Sequence, residues 1–485
     1  MEHDRSTLQP SALTQGPNSP GAARVPGLLR LFDGTSAMAA ALPFGGEALE
    51  LGRGSAVLGQ AQDPRMSRRH ARVHFDGQRF WATDLGSQNG TFVDGEAVPS
   101  GASSEVRRVL RMGDSLFVPC ADVSPLTACG VEVRDGFVRG PAMQRLLQEV
   151  VRAARSGASL HVHGESGAGK EGIARAFHGG AREGGPFVAV NCAAIPQGVA
   201  ERLLFGAKRG AYSGADADAP GYLQAAEGGT LFLDEVVELD LQVQAKLLRV
   251  LETGEVLALG AAKPKAVSVR ICSASNKDLR GQVAAGKLRE DLYFRLARPE
   301  LALPPLRQRP EEVPLLLERE VRQASPGLGL HVSLVEACLL RPWPGNVREL
   351  LTEARGAARA ALLRGARRVD EQHLSPGAGT AFGPSALAPS ERAAARAPSE
   401  TKGLRSASKR PPATTPPAEA APREAASRAR PLDEAERERI EEALRQQGGN
   451  VAATARALGM HRTHLRRLID RGQIAAPNEP EPDAT

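Results

Sequence analysis

Cysteine is scarce, and the five that are present (Cys120, Cys129, Cys192, Cys272, Cys338) have neither metal-ligand nor disulfide spacing. That pattern excludes a zinc-stapled or disulfide-stapled scaffold and predicts buried thiols in a reducing compartment. No apolar run approaches membrane-spanning length. The opening Met1-Glu-His-Asp-Arg5 lacks the basic-then-apolar form of a secretion signal. A soluble, cytoplasmic protein without a membrane partner is expected. Aromatic residues are also few, at 4% of the 485 positions. Charge is lopsided only mildly, at +6, a bias that fits a nucleic-acid partner without requiring one. The length allows roughly three domains of ordinary size.

What is present centres on residues 159–178. A β-type run, Ser159 to His163, feeds the glycine-rich Gly164-Glu165-Ser166-Gly167-Ala168-Gly169-Lys170-Glu171, and Gly172 to His178 reads as helix. Glycines let a loop curl so that its N–H groups meet phosphate oxygens, and the helix N-terminus adds a positive dipole end. Lys170 is placed to reach the β- and γ-phosphates. Glu171 stands where many such loops carry a Mg2+-binding hydroxyl. A second stretch, Gly228 to Glu235, is an apolar strand ending in two carboxylates. Acids at the end of a buried strand are costly unless they hold a cation or activate water. Asp234 fits a Mg2+ ligand acting through water, and Glu235 a base for the attacking water. ATP and Mg2+ are the expected cofactors.

Residues 1–24 are rich in Ser, Pro and Gly and are expected to be disordered. From 25 to 134 short alternating runs separated by Gly, Asp and Asn predict a β-sandwich. Its loops carry Gly52-Arg53, Ser67-Arg-Arg-His70 and Ser87-Gln-Asn-Gly-Thr91. This set resembles the forkhead-associated domain, a phosphothreonine-binding sandwich. The resemblance implies that Arg53, Ser67 and Arg68 contact phosphate and that Asn89 holds the peptide backbone. His70 and Gly52 would shape the loops. A dianionic phosphate does favour an Arg fork with hydroxyl and backbone donors.

Residues 135–374 carry the nucleotide motifs, with a helical lid from about 305. Leu204 to Ala215, ending in Gly210-Ala211-Tyr212-Ser213-Gly214-Ala215, resembles the surface loop of bacterial activators of sigma-54 RNA polymerase, which are ring-forming AAA+ ATPases. The family loop reads Gly-Ala-Phe-Thr-Gly-Ala, so the ring and hydroxyl are kept in altered form. Gln224 stands where the family usually has Glu. The resemblance implies that residues 210–215 contact sigma-54 and that Asn191 lies near the γ-phosphate. It also makes Asn276 the tip of the first sensor strand and Arg348, in Pro342-Trp-Pro-Gly-Asn-Val-Arg348, a phosphate contact from the lid. Arg289 and Arg295 match arginine fingers that complete a neighbour's site, which implies a hexamer as the active homo-oligomer.

The stretch 375–431 is Ala- and Pro-rich, lacks apolar periodicity and reads as a flexible, basic linker that could tether or touch DNA. From 432 to 475 an acid-started helix, a second helix closed at Gly459 and a basic third helix form a helix-turn-helix pattern. It resembles the Fis-like domain of sigma-54 activators. His461, Arg462, Thr463, His464, Arg466 and Arg467 are the candidate DNA contacts. Residues 476–485 read as a disordered tail.

The expected architecture is therefore multidomain: a β-sandwich, an α/β P-loop ATPase with a helical lid, and an all-α DNA-binding unit. The expected function is an enhancer-binding regulator that hydrolyses ATP to remodel sigma-54 RNA polymerase. Its control would come from a phosphothreonine-bearing protein or a Ser/Thr kinase. A DNA-bound AAA+ regulator that no longer engages sigma-54 is the alternative, motivated by Tyr212 and Ser213.

Overall fold

The computed structural model describes residues 24–382, apart from 47, 60–62, 135, 182–184, 197 and 214, together with 434–447, 454 and 457–458. The chain divides into two units, 1–397 and 398–485.

The first unit opens with two antiparallel sheets. In one, six strands run in the order Ala37–Pro43, Gly27–Asp33, Ser115–Cys120, Leu110–Met112, Thr91–Val93, Glu96–Val98. In the other, Leu49–Leu51, Ala71–Phe75, Phe80–Asp84 and Ser103–Val106 lie side by side. Alternation along Ala71–Phe75 and Phe80–Asp84 sends Val73, Phe80 and Ala82 into the space between the sheets, where they meet Leu28, Leu110 and Phe117. This is the expected sandwich. Strands Gly27–Asp33 and Ser115–Cys120 do not alternate. Leu29, Leu31, Leu116 and Val118 face away from the sandwich core, into a second core shared with lid residues Leu316, Leu317 and Val335.

The nucleotide-binding core is a parallel sheet in the order Phe187–Asn191, Thr230–Asp234, Arg270–Ser275, Leu160–His163, Glu300–Ala302. Helices Pro141–Ser156 and Lys170–Ala181 share one apolar core with Leu160, Val162 and Phe232. Leu241–Thr253 and Glu290–Leu296 share another with Leu231, Leu233 and Ile271. The lid consists of Val313–Ala324, Val332–Leu340 and Asn346–Leu363. Packed chain continues past Leu374, the expected lid boundary. Ala378 is buried, Trp343 N–H donates to the Gly379 carbonyl (3.1 Å), and Gly379 N–H donates to Glu349 (2.9 Å).

Cys192, Cys272 and Cys338 are buried free thiols, but Cys129 is exposed, so burial holds for only part of the set. None of the described helices is long and apolar enough to cross a membrane. In the second unit, helix Glu434–Gln446 buries Ile440 and Leu444, and Thr454 is buried. The candidate DNA contacts at 461–467 lie outside the described residues, as do residues 1–23.

Where the lid begins, Arg309 and Glu312 form a fully buried pair at 2.9 Å. Arg309 also donates to the Ala168 carbonyl (3.1 Å), and Glu312 accepts from Gly140 N–H (2.7 Å). The pair thus joins the phosphate loop, the entry to helix Pro141–Ser156 and the lid. Removing one member strands a buried charge. Glu312→Ala is expected to cost about 3 kcal/mol or more in urea unfolding. A loss near zero would show that the junction relaxes around the change.

Candidate active site

All five parallel strands contribute either the site or its frame, and the loop at 164–169 leaves the carboxyl end of Leu160–His163 between Arg270–Ser275 and Glu300–Ala302. Open α/β sheets bind ligands at such ends. Gly169 and Gly167 have φ values of 112° and 73°, which L side chains rarely adopt. At Gly167 a Cβ would lie 2.1 Å from the Gly345 carbonyl oxygen, so the loop and the lid backbone meet there without room for a side chain.

Lys170, at the start of helix Lys170–Ala181, is buried, and its ammonium donates to the Gly164 carbonyl (2.9 Å) and to Glu235 Oε1 (3.4 Å). Asp234 ends strand Thr230–Asp234 and Glu235 follows it, and Asn191 is Asp234's register partner on the neighbouring strand. Burial raises the Asp234 carboxyl above its usual range, with Glu235 adding to the shift and Lys170 opposing it. Its Oδ1 is buried without a hydrogen-bond partner. An orphaned carboxylate oxygen beside a phosphate cradle is the environment a divalent cation satisfies. No cluster of three or more His, Cys, Asp or Glu among the described residues could hold a metal. Asp234 would hold Mg2+ there, with the phosphates of a bound nucleotide as further oxygen donors. Glu235 has left-handed backbone angles (φ 53°, ψ 49°), and its carboxylate is fixed by Lys170 and by Asn276 N–H (3.2 Å). Asn191 spends its side-chain oxygen on Ala193 N–H at 3.0 Å.

The lid closes over this loop. Arg348 N–H donates to the Gly167 carbonyl (3.3 Å), and its guanidinium reaches Ser166 Oγ (3.5 Å). Sequence reasoning missed Asn346, which is fully buried with φ 52°. Its amide nitrogen donates to Glu165 (3.0 Å) and the Ser166 carbonyl (3.1 Å), while its oxygen accepts from Leu306 N–H (2.8 Å). The signal was available, because Asn after Gly is one of the few residues that tolerates the left-handed region. Arg307 forks onto Glu165 at 2.8 and 2.7 Å, and these bonds hold that carboxyl below its usual range. Glu171 points along the helix surface to Arg175 (2.6 Å).

This constellation matches a known set of parts. Residues 137–302 match the family model of the sigma-54 interaction domain, 49–116 that of the FHA domain, and 431–471 that of the Fis-family bacterial regulatory protein. The chain carries a sigma-54 interaction domain of the AAA+ class. It is joined here to a forkhead-associated domain and a Fis-type helix-turn-helix. Among relatives, the response regulator protein FleR of Pseudomonas aeruginosa is 47% identical over 43% of this chain and 46% of its own length. The nitric oxide reductase transcription regulator NorR2 of Cupriavidus necator is 41% identical over 68% of this chain and 61% of its own. A solved structure of NtrX from Brucella abortus in complex with ADP is 29% identical, covering 69% of this chain and 68% of that one with a TM-score of 0.45. The chain spans less than two thirds of the length of these two regulators.

Within the sigma-54 interaction domain, Arg289 is forked onto Asp291 at 3.0 and 2.7 Å, and Arg295 donates to the Leu251 carbonyl at 3.2 and 2.8 Å. Asp291 and Leu251 both lie outside the phosphate loop. The loop from 206 to 219 has a laced stem and a lightly held tip. Ala207 pairs with Ala219 and Leu259, and Lys208 meets Asp218 at 2.5 Å. Gln224, by donating to the Phe205 carbonyl (2.8 Å) and accepting from Gly221 N–H (2.8 Å), ties the stem with both ends of one amide. At the tip, Gly210 N–H donates to the Ala215 carbonyl (2.9 Å), and Ala211 N–H to Lys208 (3.1 Å). Tyr212 Oη accepts from Arg202 (2.8 Å), Ser213 is exposed, and Gly214 lies outside the described residues.

In the forkhead-associated domain the three marked loops converge. Arg53 N–H donates to the Ser67 carbonyl (2.9 Å), and a Cβ on Gly52 would lie 2.3 Å from the Arg68 carbonyl oxygen. Ser67 Oγ accepts from Gln88 N–H (3.0 Å), and Asn89 donates to the Arg65 carbonyl (2.8 Å). Buried His70 accepts from Ser67 N–H at Nδ1 (2.9 Å), so its Nε2 is the donor to the Gly90 carbonyl (3.1 Å). Burial lowers its pKa and keeps it neutral. Arg53, Arg68 and Asn89 are exposed.

His161, two residues before His163 on the strand feeding the phosphate loop, is fully buried, with Nδ1 2.9 Å from Ser273 Oγ. Burial, then His163 and Lys170, push its pKa down from 6.5 to about 4. The unfolded imidazole takes a proton near 6.5 and the folded one only near 4. This contribution is therefore constant above 6.5 and is lost as pH falls, at about 1.4 kcal/mol per pH unit. Replacing His161 by Gln should flatten the stability profile of the domain between pH 6.5 and 5 in urea titrations. Parallel profiles would show that His161 does not set it.

Proposed function

We infer that the chain is a sigma-54-dependent transcriptional regulator that binds enhancer DNA and couples ATP hydrolysis to opening of promoter-bound sigma-54 RNA polymerase. The observation that carries this reading is the meeting of Lys170, Asp234 and Glu235 beneath a lid that reaches the same loop through Arg348, in a chain that also carries the 210–215 loop.

In this reading the amides of residues 164–171 and the Lys170 ammonium bind the phosphates, and Asn276 and Asn191 bound the γ-phosphate position. The Lys170–Glu235 pair would separate as Lys170 turns to phosphate, freeing Glu235 to take the proton of the attacking water. Mg2+ held through water by Asp234 would neutralise charge at the phosphate oxygens. Arg289 and Arg295, bonded away from their own loop, suit fingers that stabilise charge in a neighbour's site, which supports a ring, hexameric in its active form. Tyr212 and Ser213 at the loop tip would touch sigma-54. His461, Arg462, Thr463, His464, Arg466 and Arg467 would hold DNA. Arg53, Ser67, Arg68 and Asn89 would bind a phosphothreonine on a partner protein or kinase, which would supply the input. The compartment is the cytoplasm.

Two measurements test this. Glu235→Gln should keep nucleotide binding and lower ATP turnover by about 100-fold or more; unchanged turnover would remove Glu235 from the chemistry. ATP-dependent open-complex formation by sigma-54 polymerase on a premelted promoter should occur with the wild type and fail with Tyr212→Ala. If the wild type hydrolyses ATP yet opens nothing, even with a phosphothreonine ligand, the reading reduces to a DNA-binding AAA+ ATPase that does not engage sigma-54.

A further inference from the structure

The forkhead-associated sandwich is docked on the lid. Leu29, Leu31, Phe32, Leu116 and Val118 share one apolar core with the lid helices. Two polar contacts fix the register of that seam. Arg108 donates to the Leu340 carbonyl at the end of helix Val332–Leu340 (2.6 Å). Arg111 meets Glu336 of the same helix at 2.9 Å, an ion pair by proximity rather than an aligned hydrogen bond, with both side chains mostly buried.

Each of these contacts connects onward. On the sandwich side, the Arg111 guanidinium stacks 3.6 Å over Phe92, its register partner. Phe92 lies two residues past Gly90 of the Ser87–Gly90 turn, and a Cβ on Gly90 would lie 3.3 Å from its ring. The Gly90 carbonyl is held by His70, which also holds Ser67. On the lid side, the helix bearing Glu336 and Leu340 leads into Trp343, whose indole N–H returns to the Cys338 carbonyl (2.7 Å). Within a few residues the chain reaches Asn346 and Arg348 on the phosphate loop.

We propose that Arg108, Arg111 and Glu336 are positioning residues for the ATP site: they set how firmly the lid holds the phosphate loop. Phosphothreonine binding at the 53/67/68/89 face acts on nucleotide through them. The second half of this statement rests on the phosphothreonine reading above; the first does not. The physical basis is a lid that is one packed body with the sandwich, so a shift at the 86–90 turn moves the seam and not a flexible linker. By linkage, nucleotide must alter phosphopeptide affinity by the same factor.

The test uses the full chain, with ADP affinity read by a fluorescent analogue and folding checked by thermal melting. Arg108→Gln removes one exposed donor and leaves the apolar seam intact. Glu336→Gln keeps shape and removes charge. Both are expected to weaken ADP binding by about fivefold or more, the lower end of ordinary coupling between sites. Arg79→Gln, which breaks an ion pair with Glu105 elsewhere on the sandwich, is expected to leave it unchanged. Smaller changes in both seam variants, with both folded, overturn the positioning role. A degenerate phosphothreonine peptide library, against its unphosphorylated twin, supplies the second arm. Peptide that shifts ADP affinity in the wild type but not in the variants supports transmission through the seam. Peptide that binds without any shift overturns it. Absence of binding overturns the phosphothreonine reading and the transmission half, while the variant affinities still decide the positioning half.

Discussion

A single buried asparagine carries the meeting of loop and lid. Asn346 satisfies Glu165, the Ser166 carbonyl and the Leu306 N–H with one amide. It can do so because its backbone sits in the left-handed region, which aims the side chain down into the junction. A buried donor or acceptor left without a partner costs about 1–3 kcal/mol. Glu165 is also held by Arg307, but the Ser166 carbonyl and the Leu306 N–H rest on this one side chain. The Arg309–Glu312 pair and the Arg307–Glu165 fork surround it. The phosphate loop is consequently fixed from the lid side, by contacts to Glu165, Ser166, Gly167 and Ala168.

The acids at the strand end are held under opposing demands. Burial disfavours the charge on Asp234, Lys170 favours it, and one oxygen has no partner at all. Glu235 adopts a backbone conformation that few non-glycine residues accept, kept in place by Lys170 and the Asn276 amide. Such local cost persists only where surrounding contacts over-determine it, and it gathers at functional positions. The ion pair between Lys170 and Glu235 keeps the two charged groups satisfied by each other.

Motifs whose contacts are local were legible in the sequence. The phosphate loop needs neighbouring glycines, a strand and a helix, all within some twenty positions. The three loops of the sandwich carry their own Gly, Ser, His and Asn chemistry. What stayed hidden was long-range. Nothing near Glu336 announces Arg111 as its partner, and the packing of Ala378 and Gly379 around Trp343 joins an Ala/Pro-rich stretch to the lid against its composition. One clue to the docked sandwich was present. Leu28-Leu-Arg-Leu-Phe32, apolar at four of five positions, and Leu116-Phe-Val118, apolar throughout, stand where a sandwich strand with one wet face would alternate. Read strictly, they demanded a second partner layer.

The loop at 206–219 is unevenly built, and this determines where force can enter it. Its stem is tied by backbone pairing to Ala219 and Leu259 and by the Gln224 amide. Its tip has backbone bonds within itself and a side-chain tie outward, the exposed contact of Arg202 with the Tyr212 ring, worth about 1 kcal/mol or less. The tip is thus closed mainly on itself, Gly210 to Ala215, Ala211 to Lys208 and Ala215 to Tyr212, whereas the stem is tied to chain outside the loop. Because the stem's ties run to Ala219, Leu259 and Phe205, a displacement of that frame carries the tip with it.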